Sequence, residues 1–215
     1  MHLSKIEFGS LLSYSPYGKS DSEKQSKTAM TCLKNDEFIS NRRVLMSDYI
    51  SGLIKKNITD LSFSSLLKIN PILVPVPKSS LMQPGTLWVP QRLAKALNHD
   101  GFGKTVEECL KRVKALHKSA TSLAKDRPKA YEHYCSVEVQ KIFPDPEEIL
   151  VIDDIVTRGA TILGVANKLH DVFPRAHIRA FAAMRTISPP QILKAVYDPC
   201  NGEISLSGQD TFRRP

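Results

Sequence analysis

The chain is short of the features that most quickly place a protein in a class. No apolar run approaches the ~18 residues of a membrane-spanning helix, and Met1 to Ser10 alternates polar and apolar residues instead of setting a basic stretch before an apolar one. Neither a membrane span nor an export signal is therefore expected. The four cysteines, Cys32, Cys109, Cys135 and Cys200, have no paired spacing. That argues against a zinc ribbon and a dithiol redox motif, and makes reduced thiols in a cytoplasmic protein the expectation. His99, His117, His133, His170 and His177 show no metal-ligand spacing. No internal repeat is visible, and Gly18 to Lys27 is the one Ser- and Lys-rich patch. Tyr17-Gly18-Lys19-Ser20 ends like a nucleotidase phosphate loop, but Ser13 stands where that motif needs glycine and Pro16 sits inside it.

What is present suits one soluble globular domain with a small appendage: 215 residues, 41% hydrophobic and 24% charged. The formal charge of +8 fits a polyanionic partner, whether nucleic acid, nucleotide or diphosphate, and does not choose among them.

Residues 1–70 are the least regular and read as an extension, with helices near Ser26 to Leu33 and Val44 to Lys56. Pro71-Ile-Leu-Val-Pro-Val-Pro77 is a short apolar run ending in prolines, as a buried strand does where it gives way to a loop. Lys78, Ser79 and Ser80 follow it. Val89, Leu93, Ala96 and Leu97 fall at helical spacing, with Gly101 just past the end. Lys111 to Lys129 holds seven basic residues and one acid, Asp126, and reads as a long basic loop. Cys135 to Val139 is a candidate strand. Ile149-Leu-Val-Ile152 is a continuous apolar run, followed by Asp153-Asp154, a turn, a helical pattern through Ile162, Val165, Ala166, Leu169 and Val172, and a second buried-strand pattern from Ile178 to Met184. Strand, loop, helix and strand in this order make a βαβ unit of a parallel sheet. Residues 71–187 are the expected core and 188–215 a carboxyl-terminal segment ending in a mobile tail.

In open parallel sheets ligands bind beyond the carboxyl ends of strands, where Asp153 and Asp154 fall. Thr157, Arg158, Gly159, Ala160 and Thr161 supply hydroxyls, a residue of free backbone geometry and the amides of a helix start, which together suit a phosphate. The two acids stand about one sugar ring away, placed to accept hydrogen bonds from a vicinal diol.

The segment Ile149 to Thr161, four hydrophobic residues, two acids, two hydrophobic residues and Thr-x-Gly-x-Thr, resembles the phosphoribosyl pyrophosphate signature of type I phosphoribosyltransferases. Val74-Pro-Val-Pro-Lys-Ser79 resembles the strand and pyrophosphate loop of the ComF-type branch of that superfamily. The resemblance covers roughly Pro71 to Thr186. It implies an α/β fold with a central, mostly parallel sheet flanked by helices and a small hood from the terminal segments. It implies transfer of ribose 5-phosphate from phosphoribosyl pyrophosphate to a nitrogenous acceptor. Asp153 and Asp154 would bind the ribose hydroxyls and magnesium, directly or through water; Thr157 to Thr161 the 5-phosphate; Lys78, Ser79 and Ser80 the pyrophosphate. Arg112, Lys114, Lys118 and Arg127 occupy the place of a mobile loop closing over the leaving group. Relatives often pair, so a homodimer is implied as well. ComF-type proteins often begin with a cysteine zinc ribbon, and Cys32 alone cannot provide one. A rival expectation keeps the fold but uses it to sense a nucleotide or bind nucleic acid, which the positive charge suits.

Overall fold

A computed structural model describes residues 1–18, 20–39, 43–116 and 127–215. The chain begins with strand β1 (Lys5–Tyr14) and helix α1 (Asp21–Asn35). Ser20 caps α1: its hydroxyl accepts from the Glu23 amide while the Glu23 carboxylate accepts from the Ser20 amide. The helix stops at Asp36, in the left-handed region at φ 46°. Two short strands, β2 (Phe38–Ile39) and β3 (Val44–Leu45), then form a small hairpin ahead of helices α2 (Met46–Asn57) and α3 (Ser64–Lys68).

Strand β4 (Ile72–Pro75), helix α4 (Val89–His99) and strand β5 (Leu110–Arg112) come next, then helix α5 (Ala130–Cys135) and strand β6 (Val137–Val139), which pairs with β5. The βαβ unit follows as β7 (Glu148–Val156), α6 (Ala160–Val172) and β8 (His177–Thr186), and an antiparallel hairpin, β9 (Tyr197–Ser207) and β10 (Asp210–Arg214), completes the fold.

The result is an α/β protein with a mixed six-stranded sheet in the order β10-β9-β1-β8-β7-β4. Strands β1, β8, β7 and β4 run parallel, while β9 and β10 are antiparallel additions. Strand alternation explains why β7 reads as an unbroken apolar run: it is covered on both faces. Ile149 and Val151 pack on one side with Ile162, Val165 and Leu169 of α6. Leu150 and Ile152 pack on the other with Ile50 and Ile54 of α2 and Leu93 and Leu97 of α4.

Several boundaries differ from the sequence reading. The region 1–70, expected as an extension, contributes β1 to the middle of the sheet, where it pairs with β8 on one side and β9 on the other. Residues 188–215, expected to end in a mobile tail, hold both strands of the last hairpin. The expected strand at Cys135 to Val139 is divided, since Cys135 ends α5 and β6 begins at Val137. The basic stretch opens with an ordered strand, β5, before residues 117–126, which lie outside the described set together with Lys118. Trp88, buried just ahead of α4, ties that helix to the end of β4, its indole N–H donating to the Val76 carbonyl at 2.7 Å. Among the described residues no helix is long and apolar enough to cross a membrane.

Candidate anion and sugar site at the carboxyl edge of the sheet

Adjacent parallel strands carry the two motifs. Pro75 of β4 lies opposite Ile152 of β7, and the Val76 amide donates to the Ile152 carbonyl at 2.9 Å. Residues 76–80 therefore leave the sheet beside Asp153, at the edge where parallel-sheet proteins place ligands.

The acid pair is already well engaged. Asp153 is 7% exposed, and its Oδ1 accepts from the Asp154 amide at 2.9 Å. Burial, followed by the neighbouring Asp154 charge, holds its carboxyl well above the usual carboxylate range. Asp154 accepts from the Ile155 amide at 2.7 Å, and its Oδ2 meets Lys34 Nζ at 2.9 Å. Burial works against the Lys34 ammonium, but Asp154, with Asp153 and Tyr14, more than reverses this, so the lysine stands above its ordinary pKa. Lys34, near the end of α1, was not anticipated: no motif marks it, and only the docking of α1 on the sheet brings it to the pair.

After β7 the chain turns through Thr157 to Gly159 into α6. Gly159 adopts φ 86°, and no side chain caps the helix. The first intrahelical bond runs from the Leu163 amide to the Gly159 carbonyl at 2.9 Å, which leaves the amides of Ala160, Thr161 and Ile162 without helical partners. The Thr157 and Thr186 hydroxyls bond at 2.9 Å, and the Thr161 hydroxyl faces His133 Nε2 at 3.3 Å. Arg158 is ion-paired with Asp210. Burial, then the nearby Arg112 charge, pushes His133 down to about 3, so this imidazole is neutral.

The loop after β4 has a directional backbone. The Arg112 guanidinium donates to the Lys78 carbonyl (Nε, 2.9 Å) and the Pro77 carbonyl (Nη2, 3.2 Å), and the Leu116 amide donates to the Ser79 carbonyl at 2.9 Å. Three successive carbonyls thus point toward the segment 112–116. In a planar trans peptide N–H and C=O are opposed, so the amides of Lys78, Ser79 and Ser80 point away from it. Successive amides turned to one side are donors from which an anion can accept.

Arg112 itself needs correction as a contact on a closing loop. It is 2% exposed at the end of β5, with a third bond to the Ser136 hydroxyl. Burial lowers its pKa to about 10, while the nearby Asp153 charge works in the opposite direction. Lys114 is exposed and Arg127 half-buried, on either side of the undescribed stretch that contains Lys118.

Among the described residues no group of three or more His, Cys, Asp or Glu side chains is arranged to hold a metal ion. Asp153 and Asp154 offer hard oxygen donors, and Asp154 already holds a cation, the Lys34 ammonium. That chemistry fits magnesium, which keeps waters and substrate oxygens as most of its ligands. No protein-family model matches the chain, and no curated protein matches it.

Proposed function

We propose that the chain is a type I phosphoribosyltransferase, moving ribose 5-phosphate from phosphoribosyl pyrophosphate to a nitrogen nucleophile with release of pyrophosphate. The observation that carries this reading is the meeting, on neighbouring parallel strands, of an acid pair followed by an uncapped helix start and a loop whose three successive amides face outward. Such a surface suits a sugar bearing a phosphate at one end and a diphosphate at the other.

In this scheme the amides of Ala160 to Ile162 and the hydroxyls of Thr157 and Thr161 take the 5-phosphate. Asp153 and Asp154 accept from the ribose hydroxyls, and Lys78 with the amides of Ser79 and Ser80 receives the diphosphate. The bond from the anomeric carbon to the diphosphate oxygen breaks with its electron pair leaving on oxygen. The acceptor nitrogen donates its lone pair to the same carbon and then loses a proton. Positive groups fixed where negative charge develops lower the barrier, and Lys78 and the exposed Lys114 fill that role. Magnesium would be held by Asp153 and Asp154, directly or through water, and would neutralise charge on the departing diphosphate.

Pyrophosphate release should be measured with a panel of nucleobases and ammonia. The double variant Asp153→Asn, Asp154→Asn should lose tight binding of phosphoribosyl pyrophosphate in calorimetry, and unchanged affinity would remove the site. One observation favours the rival, a binding-only protein on the same fold: Asp154 already has a cationic partner in Lys34. Tight phosphoribosyl pyrophosphate binding without turnover on any acceptor would select it.

A further inference from the structure

Two arginines, the buried Arg112 and the half-buried Arg213, stand behind the two anion loops, and neither is close enough to a carboxylate for an ion pair among the described residues. Arg112 spends its guanidinium on the carbonyls of Pro77 and Lys78 and the Ser136 hydroxyl. Arg213, on β10, donates from Nε to the Thr157 carbonyl at 2.9 Å and from Nη2 to the Thr186 carbonyl at 2.7 Å. Its Nη1 is buried with no hydrogen-bond partner among the described residues, and its guanidinium lies 5.8 Å from the centre of the Phe8 ring. Arg185 differs, because Asp198 pairs with it at 2.5 Å.

The peptide geometry is the same in both places. A carbonyl held by Arg213 at Thr157 turns the amide of Arg158, in the same peptide plane, away from β10 and toward the open side of the turn. The carbonyls held by Arg112 do this for the amides of Lys78 and Ser79. The last hairpin strengthens the first case with two more ties: Asp210 pairs with Arg158, and Ile204 packs on Gly159. Three consecutive residues of the turn, Thr157, Arg158 and Gly159, are thereby fixed from behind.

Carbonyl dipoles only partly compensate a buried guanidinium, and a charge in that position gains from any counter-charge nearby. We propose that Arg112 and Arg213 are paired positioning residues, each orienting the peptides of one anion loop and supplying the buried positive charge that a bound phosphate completes. Arg213 serves the phosphomonoester of the sugar and Arg112 the diphosphate. The two anions are therefore recognised by separately braced halves of one site. This inference rests on the phosphoribosyltransferase reading.

The test measures two anions on the full chain by calorimetry, ribose 5-phosphate and inorganic pyrophosphate with magnesium. Arg213→Met should weaken ribose 5-phosphate by about tenfold or more, as expected for losing a charged hydrogen-bond donor, and leave pyrophosphate within about twofold. Arg112→Met should do the reverse. Because Arg112 is fully buried, Arg112→Lys and Arg213→Lys run alongside. They keep the charge but not the two-carbonyl grip, and should show the same selectivity with a smaller loss. If a Met variant fails to fold, its Lys counterpart decides that arm. Equal loss of both anions in either variant would mean general loosening and would overturn the proposal, as would no change in either. Wild-type protein that binds neither anion would sink the underlying function as well, whereas wild-type binding with unselective variants would sink only the arginine assignment.

Discussion

Gly159→Ala perturbs the turn at its tightest point, and the structure sets the size of the effect. Gly159 sits at φ 86°, and a Cβ built there would lie 2.5 Å from Ile204 Cγ2, 2.6 Å from Cδ1 and 2.7 Å from Cγ1. A non-glycine residue in the left-handed region costs about 1–2 kcal/mol. Ile204 is fully buried in the core, so it cannot swing into solvent, and forcing it aside costs about 1–3 kcal/mol more. The total, about 2–5 kcal/mol, should appear as a lower denaturant midpoint with unchanged slope in chemical unfolding. The two components can be separated with Ile204→Val. Trimming that side chain relieves part of the clash but none of the backbone cost, so the double variant should be more stable than the sum of the single losses by about 0.5–2 kcal/mol. A Gly159→Ala loss below about 1 kcal/mol, or strict additivity in the cycle, would show that the turn is not pressed against the last hairpin as described.

Acid should destabilise the protein through His133: its folded pKa of about 3 lies below the ordinary 6.5. The stability this neutral ring contributes is complete above 6.5 and is lost as pH falls toward 3. Between neutrality and pH 4 this amounts to about 3 kcal/mol, and His133→Asn should remove that part of the slope in unfolding measured across pH. Asp153 works in the opposite sense. Its raised carboxyl pKa makes the folded state lose stability as pH climbs from the ordinary carboxyl range to the shifted one. Asp153→Asn should therefore raise the melting temperature at neutral or mildly alkaline pH while weakening phosphoribosyl pyrophosphate, and a drop in melting temperature there would contradict the burial argument. Lys34→Met removes the cation held by Asp154 at a half-exposed site, so stability should change by less than about 1 kcal/mol. Magnesium-phosphoribosyl pyrophosphate should bind more tightly because a competitor for the acid is gone; weaker binding would make Lys34 a ligand contact instead.

The unit from β7 to β8 was legible because its pattern is local. Leu150 and Val151 are covered on opposite faces, and the helix that follows repeats its apolar residues over one stretch of chain. The acid pair and the glycine turn belong to that stretch, so their placement came with it. Strand β1 was hidden because its buried positions include Gly9, Ser10 and Ser13, which carry no apolar signal. Arg185 and Asp198, which satisfy the two serines, come from distant parts of the chain. The closing hairpin was hidden for a similar reason: β9 contains Pro199 and Gly202, and much of its surface stays open to water. Arg112 read as a loop cation because a charged side chain in a basic stretch is normally solvated, and nothing nearby in sequence announces the carbonyls of Pro77 and Lys78 that bury it. Lys34 and Arg213 reach the site only through tertiary pairing, which no local spacing records.

The position of β1 sets an order on how the molecule can assemble. Phe8 sits between Ala180 and Gly202, so the opening strand has no neighbour on either side until residues 177–207 are present. A nascent chain or fragment stopping short of residue 177 leaves β1 open along both sides and β7 along one, each margin able to recruit a foreign strand. Folding should therefore wait for the distal segment and proceed slowly, as pairings between remote stretches do, and proteins that shield exposed strands should bind truncated forms in preference to the whole.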